Sequence, residues 1–236
     1  EGYQRKEPRF ELNKDMQDVD VEITDEKAIM TAGRMQVCVD RKDFKIEYKA
    51  DGKVLTTCGF RNIGYMQYDR SNSTKFPESN YMYSDYTPYM NTELSLAPGE
   101  CVYGMGERFT SFVKNGQVVD CWNEDGGTAS QISYKNIPFY MTNKNYGILV
   151  DHTDNVSFEV ASEKVEYVGF SVKGEELRFD LIYGDTMKDV IRTYTDLTGK
   201  PALAPGWSFG LWLTTSFTTN YDEETTSTFI NGMEER

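Results

Sequence analysis

Residues 206–220 read GWSFGLWLTTSFTTN and carry the most decisive pattern in the chain. Trp207, Phe209 and Leu211 are spaced two apart, and Trp212 adds an aromatic ring on the opposite side of an extended segment. Apolar residues on both faces are typical of a strand that is covered on both sides, as in a parallel sheet or barrel. The pattern therefore predicts a deeply buried strand.

The residues that follow this strand, expected over 207–213, indicate a loop and then a helix. Small hydroxyl side chains dominate residues 214–219, and Asn220 or Asp222 can cap a helix whose apolar residues have helical spacing. Strand, loop and helix form the first half of a βαβ unit, but no second parallel strand follows before Arg236. We therefore expect either a piece of a longer protein, continued by a barrel or doubly wound domain, or a partner that supplies the rest.

Composition limits the classes of partner. The chain has 236 residues, a formal net charge of −13 and a pI near 4.6. Nucleic acids and anionic membranes are bound largely through basic patches, so this charge argues against both. A neutral or cationic ligand fits better. The sequence has neither a signal-peptide pattern nor an apolar run of the roughly 18 residues that span a bilayer.

The cysteines and histidine indicate neither disulfides nor a metal site. Four cysteines lie far apart without a Cys-x-x-Cys pair, and His152 is the only histidine. This excludes the usual zinc signatures and predicts reduced, structural thiols in a cytoplasmic protein. His152 lacks the partners of a catalytic triad, so we interpret it as structural.

The first three quarters of the chain have the pattern of antiparallel strands. Apolar and polar residues alternate in several short runs, and Asp51-Gly52 is a strong two-residue hairpin signal. These runs predict a β-sandwich domain over residues 1–184. Residues 185–204 are expected to form a linker helix and an extended connection, with Gly199 ending the helix. Residues 205–236 then begin the next domain.

Two stretches within the sandwich region interrupt this pattern. Residues 65–91 show no clear period and predict a long loop or short edge strands. Residues 103–109 read YGMGERF, in which the glycines allow close backbone approach or a bulge, and Glu107 and Arg108 are expected to form an ion pair. The spacing does not match a phosphate-binding glycine loop.

Residues 123–127 read NEDGG, two carboxylates and an amide on a glycine-bounded turn. Such a group of oxygens is suited to a sugar hydroxyl or a metal ion. A solvated turn with Asx capping is the simpler interpretation. The residues alone leave both interpretations open.

Three ordered blocks, residues 103–109, 122–149 and 199–221, together resemble glycoside hydrolase family 31, and within it the bacterial α-xylosidase branch. The resemblance implies a galactose mutarotase-like β-sandwich followed by a (β/α)8 barrel, with residues 207–213 as barrel strand one. It also implies a retaining mechanism that uses two carboxyl groups roughly 5 Å apart and needs no cofactor. Both catalytic carboxylates would lie beyond Arg236, so none is assigned to this chain.

The resemblance implies two substrate contacts within this chain. Asp125, on a sandwich loop over the barrel mouth, would hydrogen-bond a substrate hydroxyl, and Phe217, after strand one, would line the aglycone side. Plain loop packing is the alternative for Phe217. Met105 replaces a commoner leucine without consequence for volume, whereas Glu124 replaces an arginine of close relatives and alters the charge beside Asp125.

The sequence thus predicts the N-terminal part of a retaining α-xylosidase that removes terminal α-linked xylose from oligosaccharides. An α-glucosidase of the same family and a non-catalytic carbohydrate-binding module are the alternatives. For the full-length protein we expect an oligosaccharide substrate and a homo-oligomer.

Overall fold

The computed structural model describes residues 11–14, 18–69, 86–124, 131–212, 220 and 222–235. The chain divides into two compact units, Glu1–Lys200 and Pro201–Arg236. The first unit contains all the strands found in the described residues, and their pairing within sheets is antiparallel throughout.

The first sheet is a five-stranded meander in which each strand pairs with the next in sequence. Its strands are β1 (Asp20–Ile23), β2 (Lys27–Ala32), β3 (Met35–Asp40), β4 (Lys45–Ala50) and β5 (Lys53–Gly59). The turn between β4 and β5 has positive φ at both Asp51 (49°) and Gly52 (75°), as a two-residue type I′ hairpin requires. The hairpin predicted from this dipeptide is confirmed.

Two further sheets complete the first unit. The remaining strands are β6 (Ile63–Asp69), β7 (Tyr86–Ser95), β8 (Val102–Gly104), β9 (Gln117–Cys121), β10 (Phe139–Thr142), β11 (Tyr146–Val150), β12 (Val156–Val160), β13 (Tyr167–Lys173) and β14 (Phe179–Tyr183). One sheet has the order β6-β7-β13-β12-β9, and the other has the order β14-β11-β10-β8.

The main core lies between these sheets. In β12, Val156, Phe158 and Val160 point inward and are buried, while the residues between them are partly exposed. They belong to one apolar cluster that also includes Ile148 of β11 and Phe170 of β13, and β4 and β5 pack against its side. The predicted antiparallel β-sandwich is therefore confirmed.

A helix covers the other face of the four-stranded sheet. Helix α1 (Met187–Thr198) begins at Thr186, whose hydroxyl accepts a hydrogen bond from the backbone N of Asp189. Val190 is fully buried, and the ring of Tyr194 stacks on Phe139 at 4.2 Å between centroids. All five residues of β11 are buried because the core covers one face and α1 the other. The predicted helix is present, and Gly199 ends it.

The prediction of a loop or short edge strands over residues 65–91 is wrong for residues 86–91, whereas residues 65–69 lie in β6, an edge strand of its sheet. β7 is ten residues long and lies between β6 and β13. Pro88 lies one residue before the part of β7 that pairs with β13. Its carbonyl accepts a hydrogen bond from the backbone N of Gly174, the residue after β13. In an antiparallel strand the N–H and the carbonyl of a residue point to the same side. The N–H that proline lacks would therefore face away from β6, and no hydrogen bond to β6 is lost.

In the second unit the predicted buried strand is wrong over residues 206–212. Gly206–Phe209 forms a 3-10 turn, and Trp207, Phe209 and Leu211 are 72%, 80% and 87% exposed. A strand covered on both faces needs neighbouring strands and helices, and the described residues of this unit include no strand that could pair with it. Leu213 lies outside the described residues.

The helix predicted after the hydroxyl-rich loop is present as α2 (Glu223–Glu234). Asp222 caps it, because its carboxylate accepts a hydrogen bond from the backbone N of Thr225 at 2.8 Å. The barrel to which this helix would belong stays a prediction.

Candidate functional site

Both predicted substrate contacts, Asp125 and Phe217, lie outside the described residues, so their roles stay predictions. The structure does describe the chain on both sides of Asp125. We call residues 122–124 and 131–133 the two stems, since they flank the segment 125–130.

The stems are joined directly to each other. The backbone N of Glu124 donates to the carbonyl of Ser133 at 3.1 Å, and Asn123 and Ser133 form an isolated bridge. The hydroxyl of Ser133 donates to the carbonyl of Glu107 and accepts from the backbone N of Lys135 at 3.2 Å. The two stems are therefore held together at one place on the sandwich.

Arg108 connects the second stem to the sheet. Its Nη1 donates to the carbonyl of Gln131 at 3.0 Å, and its Nη2 donates to the carbonyl of Asp120 at 2.7 Å. Nε donates to the carbonyl of Met105 at 3.3 Å, and Nη2 also reaches Oδ1 of Asn136. A guanidinium offers five N–H donors in a rigid fork, which suits this set of converging oxygens.

The predicted ion pair between Glu107 and Arg108 is therefore wrong. The carboxylate of Glu107 is exposed and lies 3.9 Å from Nζ of Lys135. Arg108 instead donates to neutral oxygens, because the fold brings several carbonyls to its guanidinium while Glu107 stays in solvent.

Asn136 contacts both stems with one side chain. Its Nδ2 lies 2.8 Å from the carbonyls of Trp122 and Ser133, and 3.0 Å from Oδ1 of Asn123. The backbone N of Asn136 also donates to that Oδ1, at 2.9 Å. Because Arg108 donates to Oδ1 of Asn136, the two side chains form one hydrogen-bonded unit. We call Arg108 and Asn136 the clamp.

The glycines of YGMGERF place Arg108 beside Asn136. Gly104 and Gly106 have φ values of 115° and 86°, and an added Cβ would overlap the carbonyls of Phe139 and Lys135 respectively. The predicted close backbone approach is confirmed. Met105 between them is fully buried, and its backbone N donates to the carbonyl of Phe139 at 2.8 Å.

A buried lysine organises the turn that follows. Nζ of Lys114 donates to the hydroxyl of Thr110 at 3.0 Å and to the carbonyl of Ser111 at 2.8 Å. Burial, with a smaller contribution from the positive charge of Arg108, lowers the pKa of this ammonium.

Several aromatic side chains close in sequence to the stems and to Arg108 are exposed. Four rings from the turn after Arg108 and from the stem regions are largely in solvent: Phe109, Phe112, Trp122 and Tyr134. The faces of such rings pack well against the C–H faces of sugars. Exposed rings of this kind are suited to contact with a carbohydrate.

Neither a metal centre nor a membrane-spanning helix is found in the described part of the chain. Cys38, Cys58, Cys101 and Cys121 are all free thiols. Burial raises the pKa of Cys121 to about 11. His152 lies just after β11, where its backbone N donates to the carbonyl of Val150 at 3.0 Å, and its structural role stays a prediction.

The sequence interpretation missed the clamp. Asn136 lies within the block of residues 122–149 without a predicted role of its own, and Arg108 is expected to pair with its neighbour Glu107. The two glycines before Arg108 were the available signal, since they predict an unusually close backbone approach at this point.

The fold is that of a galactose mutarotase-like β-sandwich domain. Residues 1–159 match the family model of the glycosyl hydrolase 31 N-terminal galactose mutarotase-like domain. The chain belongs to glycoside hydrolase family 31.

Two curated relatives are α-xylosidases. The chain is 45% identical over 229 residues to α-xylosidase XylQ of Lactiplantibacillus pentosus, covering 97% of this chain and 28% of that protein. It is 45% identical over 240 residues to an α-xylosidase of Emericella nidulans, covering 97% and 30%. The chain thus spans less than a third of the length of these relatives.

A solved structure supports the fold. A GH31 dextranase of Flavobacterium johnsoniae complexed with glucose superimposes with a TM-score of 0.65 at 24% identity, over 81% of this chain and 22% of that one.

Proposed function

We propose that this chain is the N-terminal part of a retaining α-xylosidase that hydrolyses terminal α-linked xylose from xylosyl oligosaccharides. The observation that carries the proposal is the 45% identity to two α-xylosidases over 97% of the chain. The sandwich would shape the substrate pocket, and the two catalytic carboxylates would come from the part of the protein that follows Arg236.

We propose that Asp125 hydrogen-bonds a substrate hydroxyl and that Phe217 packs against the sugar on the aglycone side. The support for Asp125 is its position between two stems that several hydrogen bonds fix to the sandwich, beside exposed aromatic rings. The support for Phe217 is the resemblance of residues 199–221 to the family.

The proposed arrangement of the parent protein follows the family. Residues 1–184 form the sandwich, residues 185–204 connect it to the next domain, and residues 205–236 begin a (β/α)8 barrel. We propose a cytoplasmic homo-oligomer that needs no cofactor and binds neither nucleic acid nor membranes, in keeping with the net charge of −13.

The test uses two proteins, the full-length gene product and the 236-residue chain. We expect the full-length protein to release xylose from an aryl α-xyloside with retention of anomeric configuration, followed by proton NMR. We expect the chain alone to be inactive on the same substrate. Inversion of configuration, or equal activity in the isolated chain, would contradict the proposal.

A matched pair of variants tests the pocket role in the full-length protein. Asp125→Ala is expected to lower kcat/KM about 10-fold or more, since a hydrogen bond to a charged carboxylate is worth about 1.5–3 kcal/mol. Asp154→Ala, which removes another loop aspartate of the sandwich, is expected to leave kcat/KM unchanged. Equal effects of the two substitutions would contradict a specific role for Asp125.

A further inference from the structure

A groove lies on the outer face of the sheet β6-β7-β13-β12-β9, on the side away from the core. Its floor is formed by Gly169 and by Ser157 and Ser171, which alternate with buried core residues along β12 and β13. A Cβ at Gly169 would lie 3.6 Å from Cβ of Glu159 and from Cγ of Glu93. Because Gly169 has no side chain, a cavity of about 170 Å³ is left beside these glutamates. We call it the sheet groove.

The charged side chains on the wall of the sheet groove are held in place. The carboxylate of Glu93, whose side chain is 14% exposed, accepts hydrogen bonds from Nδ2 of Asn62 at 2.8 Å and from Nζ of Lys164 at 2.7 Å and 2.9 Å. Nζ of Lys164 also lies 5.9 Å from the centre of the Tyr167 ring. A carboxylate has about four acceptor positions and an ammonium has three donors, so both groups can still bind a ligand hydroxyl.

A buried oxygen in the lining of the sheet groove lacks a donor. The amide of Asn91 lies over Gly64, where an added Cβ would overlap its Oδ1. This Oδ1 is buried, and no hydrogen bond reaches it from the described residues. An unpaired buried oxygen is destabilising, so a bound molecule that brings a hydroxyl donor to it is favoured.

The side chains of the sheet groove indicate a neutral ligand that is rich in hydroxyls. Glu93, Glu159 and Glu163 outnumber the single lysine in the lining, which disfavours an anion. A small cation is disfavoured as well, because the ammonium of Lys164 already binds Glu93. Carboxylates, an ammonium and serine hydroxyls bind sugar hydroxyls, and the ring of Tyr167 offers a face for the C–H groups of a sugar.

We propose that the sheet groove binds one sugar residue of a neutral oligosaccharide. Sugar hydroxyls bridge the ammonium of Lys164 and the carboxylate of Glu93, and one face of the sugar packs against Tyr167. Pockets that enclose a drug-sized ligand have volumes from about 300 Å³ upwards, so a cavity of about 170 Å³ suits a single ring of a longer chain. The inference goes beyond the proposed function, because that function assigns none of these residues to the substrate.

The test measures the binding of cellotriose to the full-length gene product by isothermal titration calorimetry. Cellotriose is neutral and has only β-linkages, so an enzyme that cleaves α-linked xylose leaves it intact. We expect a dissociation constant in the millimolar range or below. Tri-galacturonate, an anionic sugar, and spermidine, a cation, are expected to bind at least about 10-fold more weakly. Absence of cellotriose binding, or tighter binding of either charged probe, would overturn the proposal.

Three variants locate the bound sugar. Gly169→Val fills the floor of the sheet groove, and Lys164→Gln removes the ammonium. Each is expected to weaken cellotriose binding at least about 10-fold, since the first excludes the sugar and the second removes a charged hydrogen-bond donor. Lys144→Gln changes an exposed lysine in the turn between β10 and β11 and is the control, with no expected change.

Circular dichroism checks that each variant is folded. If Gly169→Val does not fold, Lys164→Gln alone decides, and an unchanged affinity in that variant would overturn the proposal.

A fourth variant, Asp125→Ala, separates this inference from the proposed function. An unchanged cellotriose affinity in Asp125→Ala, together with losses in both groove variants, supports the sheet groove. A loss in Asp125→Ala with full affinity in both groove variants would overturn the sheet groove and leave the proposed function standing. If the groove variants lose cellotriose binding but the unmodified protein does not cleave an aryl α-xyloside, the proposed function fails and the sheet groove stands.

Discussion

The same alternation of apolar residues has opposite outcomes in the two units. In β12 of the first unit, Phe158 and its alternate neighbours are buried between two sheets. In the second unit, Trp207, Phe209 and Leu211 have the same spacing but are mostly exposed in a 3-10 turn and the residues after it. Periodicity indicates which side chains can be buried together, whereas burial itself requires neighbouring elements.

The sharpest test of this comparison is one substitution made at both places in the 236-residue chain. Phe158→Ala is expected to lower the free energy of unfolding by about 3–5 kcal/mol, because it opens a cavity in a packed core. Phe209→Ala is expected to change it by less than about 0.5 kcal/mol, as at other exposed sites. Urea unfolding measures both, and similar losses would show that residues 207–212 are packed.

In the full-length protein the expected result for Phe209→Ala is different. If these residues become barrel strand one, the substitution should then cost about 3 kcal/mol or more, as at other core phenylalanines. An unchanged cost near zero would contradict the barrel assignment.

A pair of glycines gives the next largest expected difference. Gly106→Ala is expected to destabilise the chain by about 2–4 kcal/mol, because φ is 86° and the new Cβ would overlap the carbonyl of Lys135. In the second unit, the Cβ added by Gly206→Ala has nothing within 4 Å, and the substitution is expected to change the stability little. Thermal unfolding compares the two, and a small effect of Gly106→Ala would contradict the close approach.

The helix caps give a smaller difference. Thr186→Ala is expected to lower the free energy of unfolding of the first unit by about 1 kcal/mol, since α1 is packed on a sheet and unfolds with it. Asp222→Ala is expected to reduce the helicity of α2 while the main unfolding transition stays the same. A shift of that transition in Asp222→Ala would show that the two units unfold together.

The smallest expected difference is between the acid sensitivities of the same two helices. A hydrogen bond from the hydroxyl of Thr186 lowers the pKa of Asp189 below 3.8, and a hydrogen bond from the backbone N–H of Thr225 does the same for Asp222. Each ionised carboxylate therefore stabilises its helix above pH 3.8, and the stabilisation is lost as pH falls through the lowered pKa.

Helical chemical shifts in α2 should therefore decrease below pH 3.8, whereas those of α1 persist because Val190 is buried against the sheet. Asp222→Asn serves as the control and should remove the pH dependence in α2. Equal acid sensitivity of both helices would contradict the difference in packing.

The parts of the fold that the sequence predicted are those set by local pattern. The Asp51-Gly52 hairpin, the alternation in β12 and the capped helix α1 each depend on residues within a few positions of one another. β7 is hard to predict because Thr87 is polar although it is buried, and because Pro88 suggests a break although its missing N–H faces away from β6.

The site was less predictable for a physical reason. Arg108 donates to oxygens that are distant in sequence and come close only when the sandwich has formed. The sequence alone therefore suggests its neighbour Glu107 as the partner, which is wrong. The roles of Asp125 and Phe217 came from family resemblance and stay predictions.

The central claim, that the parent protein cleaves α-linked xylose, is tested most directly by one ratio. It is kcat/KM for an aryl α-xyloside divided by kcat/KM for the matching aryl α-glucoside, measured on the full-length gene product. We predict a ratio well above one, as the 45% identity to two α-xylosidases suggests. A ratio below one would contradict the assignment and make the protein an α-glucosidase.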